Sequence, residues 1–195
     1  LPSYAKGRPE GFLFPATYDI DPGTTAASIL HEMTGRYADV EKKLGLVAGA
    51  HNLHRSPLEV VTVASLVEAE ARRPEDYGRI ARVIYNRLGD DRRLQLDSTV
   101  HYAINTYTRP STTAKERANP SPYNTYVHAG LPPGPINSPG ERALNAALHP
   151  TPGTWLYFVT VNPDSGLTKF ATTFTQHDAF VAEFQKWCRA HANRC

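Results

Sequence analysis

Residues 56–72 read SPLEVVTVASLVEAEAR, and this stretch decides the fold. Ser56 suits a helix N-cap, Pro57 has its φ preset for the first helical position, and Glu59 is placed to return a hydrogen bond to the cap. A helix therefore starts here and runs to about Arg72. At 100° per residue, Val60, Val61, Val63, Ala64, Val67 and Ala71 share one face, and Glu68 projects between Val61 and Ala64 within that apolar arc. Glu70 lies farther round, beside Val63 and Leu66. A carboxyl on a core-facing stripe must be paired, protonated or open to a cleft, because burying a bare charge is costly. Spacing alone leaves two readings of Glu68 open. It pairs with Arg72, its i+4 neighbour, or with Arg82 on the next helix, or it serves as a general acid, a role that needs apolar surroundings to keep a carboxyl protonated. Ala64, small and one turn back, would leave room for a ligand.

Working outward, Pro74 and Glu75 open a second helix whose stripe is Tyr77, Ile80, Val83, Ile84 and Leu88, ended by Gly89. Upstream, Thr24 or Thr25 caps a helix carrying Ile29, Met33, Tyr37 and Val40, and residues 45–55 read as a loop. Residues 10–20, EGFLFPATYDI, are aromatic and broken by Pro15, so they read as extended chain or an edge strand. Residues 121–140 hold five prolines and three glycines and read as a series of rigid turns. A short helix over 141–149 precedes the clearest strand, WLYFVTV at 155–161, which a turn at 162–166 returns into 168–172 as a hairpin. The last helix runs from about Gln176 to Cys188. The predicted class is α+β: a helical half carrying the acidic residue, a small antiparallel hairpin and long Pro/Gly-rich loops. We expect one domain over 1–195, with an N-terminal extended segment and helix (1–50) packed on a core (56–188) and a tail (189–195).

The chain has 195 residues, 41% of them hydrophobic, which is ample for a core. A net charge of +2 provides no single-signed field of the kind that draws nucleic acid, and a neutral or mildly anionic polymer suits it better. No apolar run approaches the roughly 20 residues of a membrane span, and residue 1 opens no signal peptide. The start at Leu1 reads as a fragment or processed product, with any membrane anchor upstream. Cys188 and Cys195 would stand ~10.5 Å apart on one straight helix, too far for a bridge. A bridge needs the helix to end near Cys188 and the tail to fold back onto it; otherwise both are free thiols, and a paired count in an otherwise Cys-free chain points weakly to an oxidising compartment. Walker A, GxGxxG, GxSxG, HExxH and CxxC patterns are all missing. His51 and His54 fall in a loop and read as surface residues rather than zinc ligands, so no cofactor or metal is called for.

What remains are carboxylates and sugar-compatible side chains. Asp97, in RLQLDSTVHYA, is a turn or cap residue, or a second acid. A separation from Glu68 of ~5 Å would suit a retaining hydrolase, and one of ~6.5–9.5 Å an inverting one. Tyr102, Tyr123, Asn124, Tyr126 and Asn137 are equally ordinary loop residues or the lining of a sugar cleft, where aromatic faces stack and amides bond hydroxyl and acetamido groups.

Several ordered segments, EGFLFPATY at 10–18, TVASLVEAEA at 62–71, VIYNRL at 83–88, RLQLDSTVHYA at 93–103, YNTYVHAGLPPGPINSPG at 123–140, LYFVTV at 156–161 and KFATTFTQH at 169–177, together resemble the MltG-like (YceG-like) endolytic murein transglycosylases. The resemblance implies cleavage of the MurNAc–GlcNAc β-1,4 bond of peptidoglycan without water, leaving 1,6-anhydroMurNAc ends. It assigns the acid, acting first as donor and then as base, to the Glu of the ASxVE segment, which is Glu68. It assigns the cleft lining to Gln95, Asp97, Thr99, Tyr123, Asn124, Thr125 and Tyr126, with Asp97 as support rather than nucleophile. Family members are built from a membrane helix, a LysM-like part and this region. The resemblance thus implies an extracytoplasmic, membrane-anchored protein whose partners are glycan strands and cell-wall synthases. A hydrolytic muramidase using Glu68 and Asp97, or a noncatalytic glycan-binding module, are the rivals.

Overall fold

Reciprocal caps set where four of the eight α-helices among the described residues start. A computed structural model describes residues 1–106 and 111–191. Helix α1 (Ala26–Leu44) is opened by Thr25, whose side chain accepts from the Ser28 amide while the Ser28 hydroxyl accepts from the Thr25 amide. Glu59 and Ser56 make the same exchange at the start of α3 (Pro57–Glu70), as the sequence predicts. Between them the predicted loop 45–55 is largely a helix, α2 (Leu46–Asn52). Gly45, at φ 59°, ends one helix and begins the next, and Leu46 and Ala50, one turn apart, are both fully buried. Tertiary burial thus makes a helix of seven residues that would be marginal in isolation.

The chain divides into two compact units, residues 1–69 with 134–149 and residues 70–133 with 150–195. In the first unit, residues 10–20 form no strand. They turn over 10–13 and continue without regular structure to 20, with Phe12 and Phe14 buried and Phe12 edge-on to Tyr37 at 5.0 Å. Gly11, at φ 90°, lies against Pro135 so closely that a Cβ would meet the proline ring at 2.4 Å. Helix α7 (Glu141–Leu148) packs on α2, where Gly49 leaves room for Leu148. Eight consecutive residues of α3, Val60 to Val67, are buried, so this helix is enclosed on every side.

The second unit holds α4 (Tyr77–Gly89), α5 (Asp97–Ile104), the single turn α6 (Ala114–Arg117), the hairpin β1 (Tyr157–Asn162) and β2 (Leu167–Ala171), and α8 (Phe174–Ala190). The hairpin pairs Tyr157 with Ala171 and Thr160 with Thr168, with a bulge before Asn162, and α8 packs across it. Arg82 of α4 donates to the carbonyls of Pro150 and Thr151, and Arg87 to those of Arg93 and Leu156, which ties the helix to the chain on both sides of it. The α+β class predicted from the sequence is the class observed. Cys188 is disulfide-bonded, which decides between the bridge and the free thiols that the sequence leaves open. Cys195, the chain's only other cysteine, and most of the tail lie outside the described residues. No helix among the described residues is long and apolar enough to cross a membrane.

Candidate active site

The two acids at the end of α3 have different surroundings. Glu68 belongs to the first unit and is half-buried, and its Oε2 accepts from the Gly140 amide at 3.0 Å, at the N-cap of α7. A carboxyl at a helix N-terminus is favourable there, with or without chemistry. In the same unit Asn137 donates to the Ser65 carbonyl at 2.9 Å, while its Oδ1 is buried with no hydrogen-bond partner.

Glu70, two residues on, belongs to the second unit and lines a cavity of about 420 Å³. Leu96, at the N-cap of α5, provides no side-chain cap. Glu70 acts in its place: the Ser98 hydroxyl donates to Oε1 at 2.6 Å, and the Ser98 amide adds a backbone bond. Burial raises the Glu70 pKa, and the nearby charge of Asp97 raises it further. The Ser98 bonds and Arg72 oppose this without cancelling it. A carboxyl lifted in this way and facing an open cavity is the condition of a general acid.

Asp97 lines the same cavity as the first residue of α5. Its carboxyl accepts from the Tyr126 hydroxyl at 2.8 Å, from the Thr112 hydroxyl, and from Arg117, whose Nη2 stands 3.3 Å away. The Arg117 guanidinium also lies 4.8 Å over the Tyr126 ring. Burial and the Asp97 carboxylate both push the Tyr126 pKa up, so its hydroxyl stays protonated as donor. Gln95 sits in the left-handed region at φ 57°, its amide bonded to the Thr125 carbonyl and its side-chain oxygen accepting from Arg87.

The remaining sequence-predicted lining residues lie elsewhere. Asn124 is fully buried and saturated: its amide group donates to the carbonyls of Arg117 and Asn119, and its oxygen accepts from the Tyr126 amide. Thr99 and Thr125 are buried and bond each other at 2.9 Å. These three build the wall behind Asp97 and Tyr126. Tyr123 pairs with Tyr102 at 4.7 Å. Sequence reasoning missed Arg87, Arg117, Tyr157, Phe174 and His177, all of which line the cavity. Their only sequence signal was membership of the quoted segments, Arg87 in VIYNRL, Tyr157 in LYFVTV, and Phe174 and His177 in KFATTFTQH, and Arg117 had none.

The YceG-like family model matches residues 2–183. The chain is 38% identical over 186 residues to the endolytic murein transglycosylase of Streptococcus pneumoniae R6, covering 93% of this chain and 33% of that protein. It is also 38% identical over 173 residues to the endolytic murein transglycosylase of Bacillus subtilis 168, covering 87% of this chain and 46% of that protein. It thus spans between a third and a half of the length of these curated relatives. The crystal structure of a YceG-like protein from Listeria monocytogenes superposes with a TM-score of 0.80 at 37% identity, covering 88% of this chain and 55% of that one. With nearly its whole length matched by the family model, this chain belongs to the YceG-like family.

Proposed function

We propose that this chain carries the catalytic region of an endolytic murein transglycosylase, and that Glu70 is its acid and base. The observation that carries the assignment is the Glu70 carboxyl itself: burial raises its pKa, and it lines a cavity shared with Asp97, Tyr126 and Arg117. The relatives named endolytic murein transglycosylase support the reaction class. Protonated Glu70 donates to the oxygen linking MurNAc to GlcNAc, and the C1–O bond breaks. The carboxylate then takes the proton of the MurNAc C6 hydroxyl as that oxygen closes on C1, giving the 1,6-anhydro end and regenerating the acid. One carboxyl serves both halves, so no second nucleophile and no cofactor are needed.

Glu68, the acid expected from the sequence resemblance, is the competing assignment. Its contact with the Gly140 amide supports a structural role at the start of α7. Asp97, held by Tyr126, Thr112 and Arg117, fits cleft support better than a muramidase nucleophile. Extracytoplasmic action on glycan strands beside cell-wall synthases follows from the same reading.

Incubating sacculi with the wild type, Glu70→Gln and Glu68→Gln tests both assignments. Glu70→Gln is expected to lose nearly all release of anhydro-muropeptides, and Glu68→Gln to keep most of it. The opposite pattern returns the acid to Glu68, and products heavier by one water identify a hydrolase.

A further inference from the structure

The cavity beside Glu70 has an aromatic side that the acid–base chemistry does not use. Tyr157 opens β1, Phe174 is the first residue of α8, and His177 lies one turn along it. The Tyr157 and His177 rings stack at 5.1 Å and 27°, and Phe174 stands 6.0 Å from each of them. All three line the cavity that Glu70 and Asp97 line. The Tyr157 end is held in place, with the Arg87 guanidinium 5.4 Å from its ring and the Tyr157 hydroxyl 3.2 Å from Arg92.

Phe174 is nevertheless 61% exposed, an unusual position for a large apolar ring in the mouth of a polar cavity. His177 brings a half-buried imidazole whose Nδ1 is itself buried without a hydrogen-bond partner. Burial lowers its pKa, which leaves the ring neutral near pH 7 with one donor and one acceptor nitrogen. Of the tyrosines nominated from the sequence for stacking, Tyr102 and Tyr123 pair with each other at a tilt of 46° and do not line this cavity, and Tyr126 has Arg117 over its ring. Pyranose rings present an apolar C–H face and a polar rim of hydroxyl and acetamido groups. The ring plate matches the apolar face, and the half-buried imidazole beside it brings a polar ring edge for the rim.

We propose that Phe174, Tyr157 and His177 form a sugar-stacking subsite beside Glu70, taking the C–H face of an N-acetylated pyranose of the glycan and bonding its rim through His177. This rests on the glycan-cleaving reading for its ligand class, though not on which glutamate is the acid.

The test uses Phe174→Ala and Phe174→Trp in the chain as it stands, with purified uncrosslinked glycan strands as substrate. Phe174 is largely exposed, so both variants should melt as the wild type does. Ring stacking of this kind is worth roughly 0.5–1.5 kcal/mol, so the Ala variant should raise KM about two- to tenfold with kcat within twofold. The Trp variant should hold KM near wild type, and its indole fluorescence should change on adding strands. An unchanged KM in Phe174→Ala, or an equal rise in both variants, overturns the subsite. Comparing strand binding by Glu70→Gln with and without Phe174→Ala separates the two proposals. If Glu70→Gln is inactive while Phe174→Ala binds normally, only the subsite fails. If Glu70→Gln stays active while Phe174→Ala binds weakly, only the acid assignment fails.

Discussion

Ser98→Ala tests the Glu70 reading through pH. The Ser98 hydroxyl is 2.6 Å from Glu70 Oε1 and stabilises the carboxylate more than the neutral acid. A hydrogen bond to a charged group contributes about 1.5–3 kcal/mol. Because the hydroxyl also bonds the protonated acid weakly, the difference between the two states should fall at the low end of that range. One pH unit corresponds to about 1.4 kcal/mol, so the substitution should move the Glu70 titration upward by roughly one unit. The readout is the alkaline limb of kcat/KM, which reports loss of the protonated acid in the free enzyme. Anhydro-muropeptide release from glycan strands, followed by chromatography between pH 5 and pH 9, should show this limb shifted upward in Ser98→Ala and restored in Ser98→Thr. The backbone amide of Ser98 remains in both variants, so α5 should keep its start. A limb that stays in place or moves downward would refute the idea that Glu70 is the titrating acid.

Two further outcomes follow from the same structure. The folded-state pKa of Glu70 is raised, so its contribution to stability is full below the unfolded pKa and is lost as pH rises through the folded pKa. Glu70→Gln removes that loss, so its melting temperature relative to wild type should climb from pH 5 to pH 8; a flat difference would contradict the desolvation of this carboxyl. Gly11→Ala forces a side chain into φ 90° and onto the Pro135 ring. The strain alone costs about 1–3 kcal/mol, and the Tm should fall by about 2–4 °C for each kcal/mol; a variant as stable as wild type in thermal melts would refute the close approach.

Much of the fold was legible because its signals are local. Capping boxes, proline at the first helical turn and alternating apolar strands depend on neighbours within four residues, and α1, α3, α4, the hairpin and α8 all lie close to where that chemistry put them. Helix α2 and α5 were not legible as helices. The first is seven residues stabilised by what it packs against, and the second takes its cap from Glu70, 28 positions away in the chain.

The sequence by itself determined the family's ordered segments and the presence of two acids at the end of one helix. It set Glu68 within the apolar arc and Glu70 at its edge, but a helical wheel ranks faces only when one face meets water, and α3 is enclosed from Val60 to Val67. Only the tertiary structure brought Glu70 together with Asp97, Tyr126, Tyr157 and His177 around one cavity, and turned Thr99, Asn124 and Thr125 into the wall behind it. The physical reason is distance along the chain. Desolvation and hydrogen-bond competition at a carboxyl are set by groups that folding brings from up to about a hundred residues away, and periodicity carries no information about them.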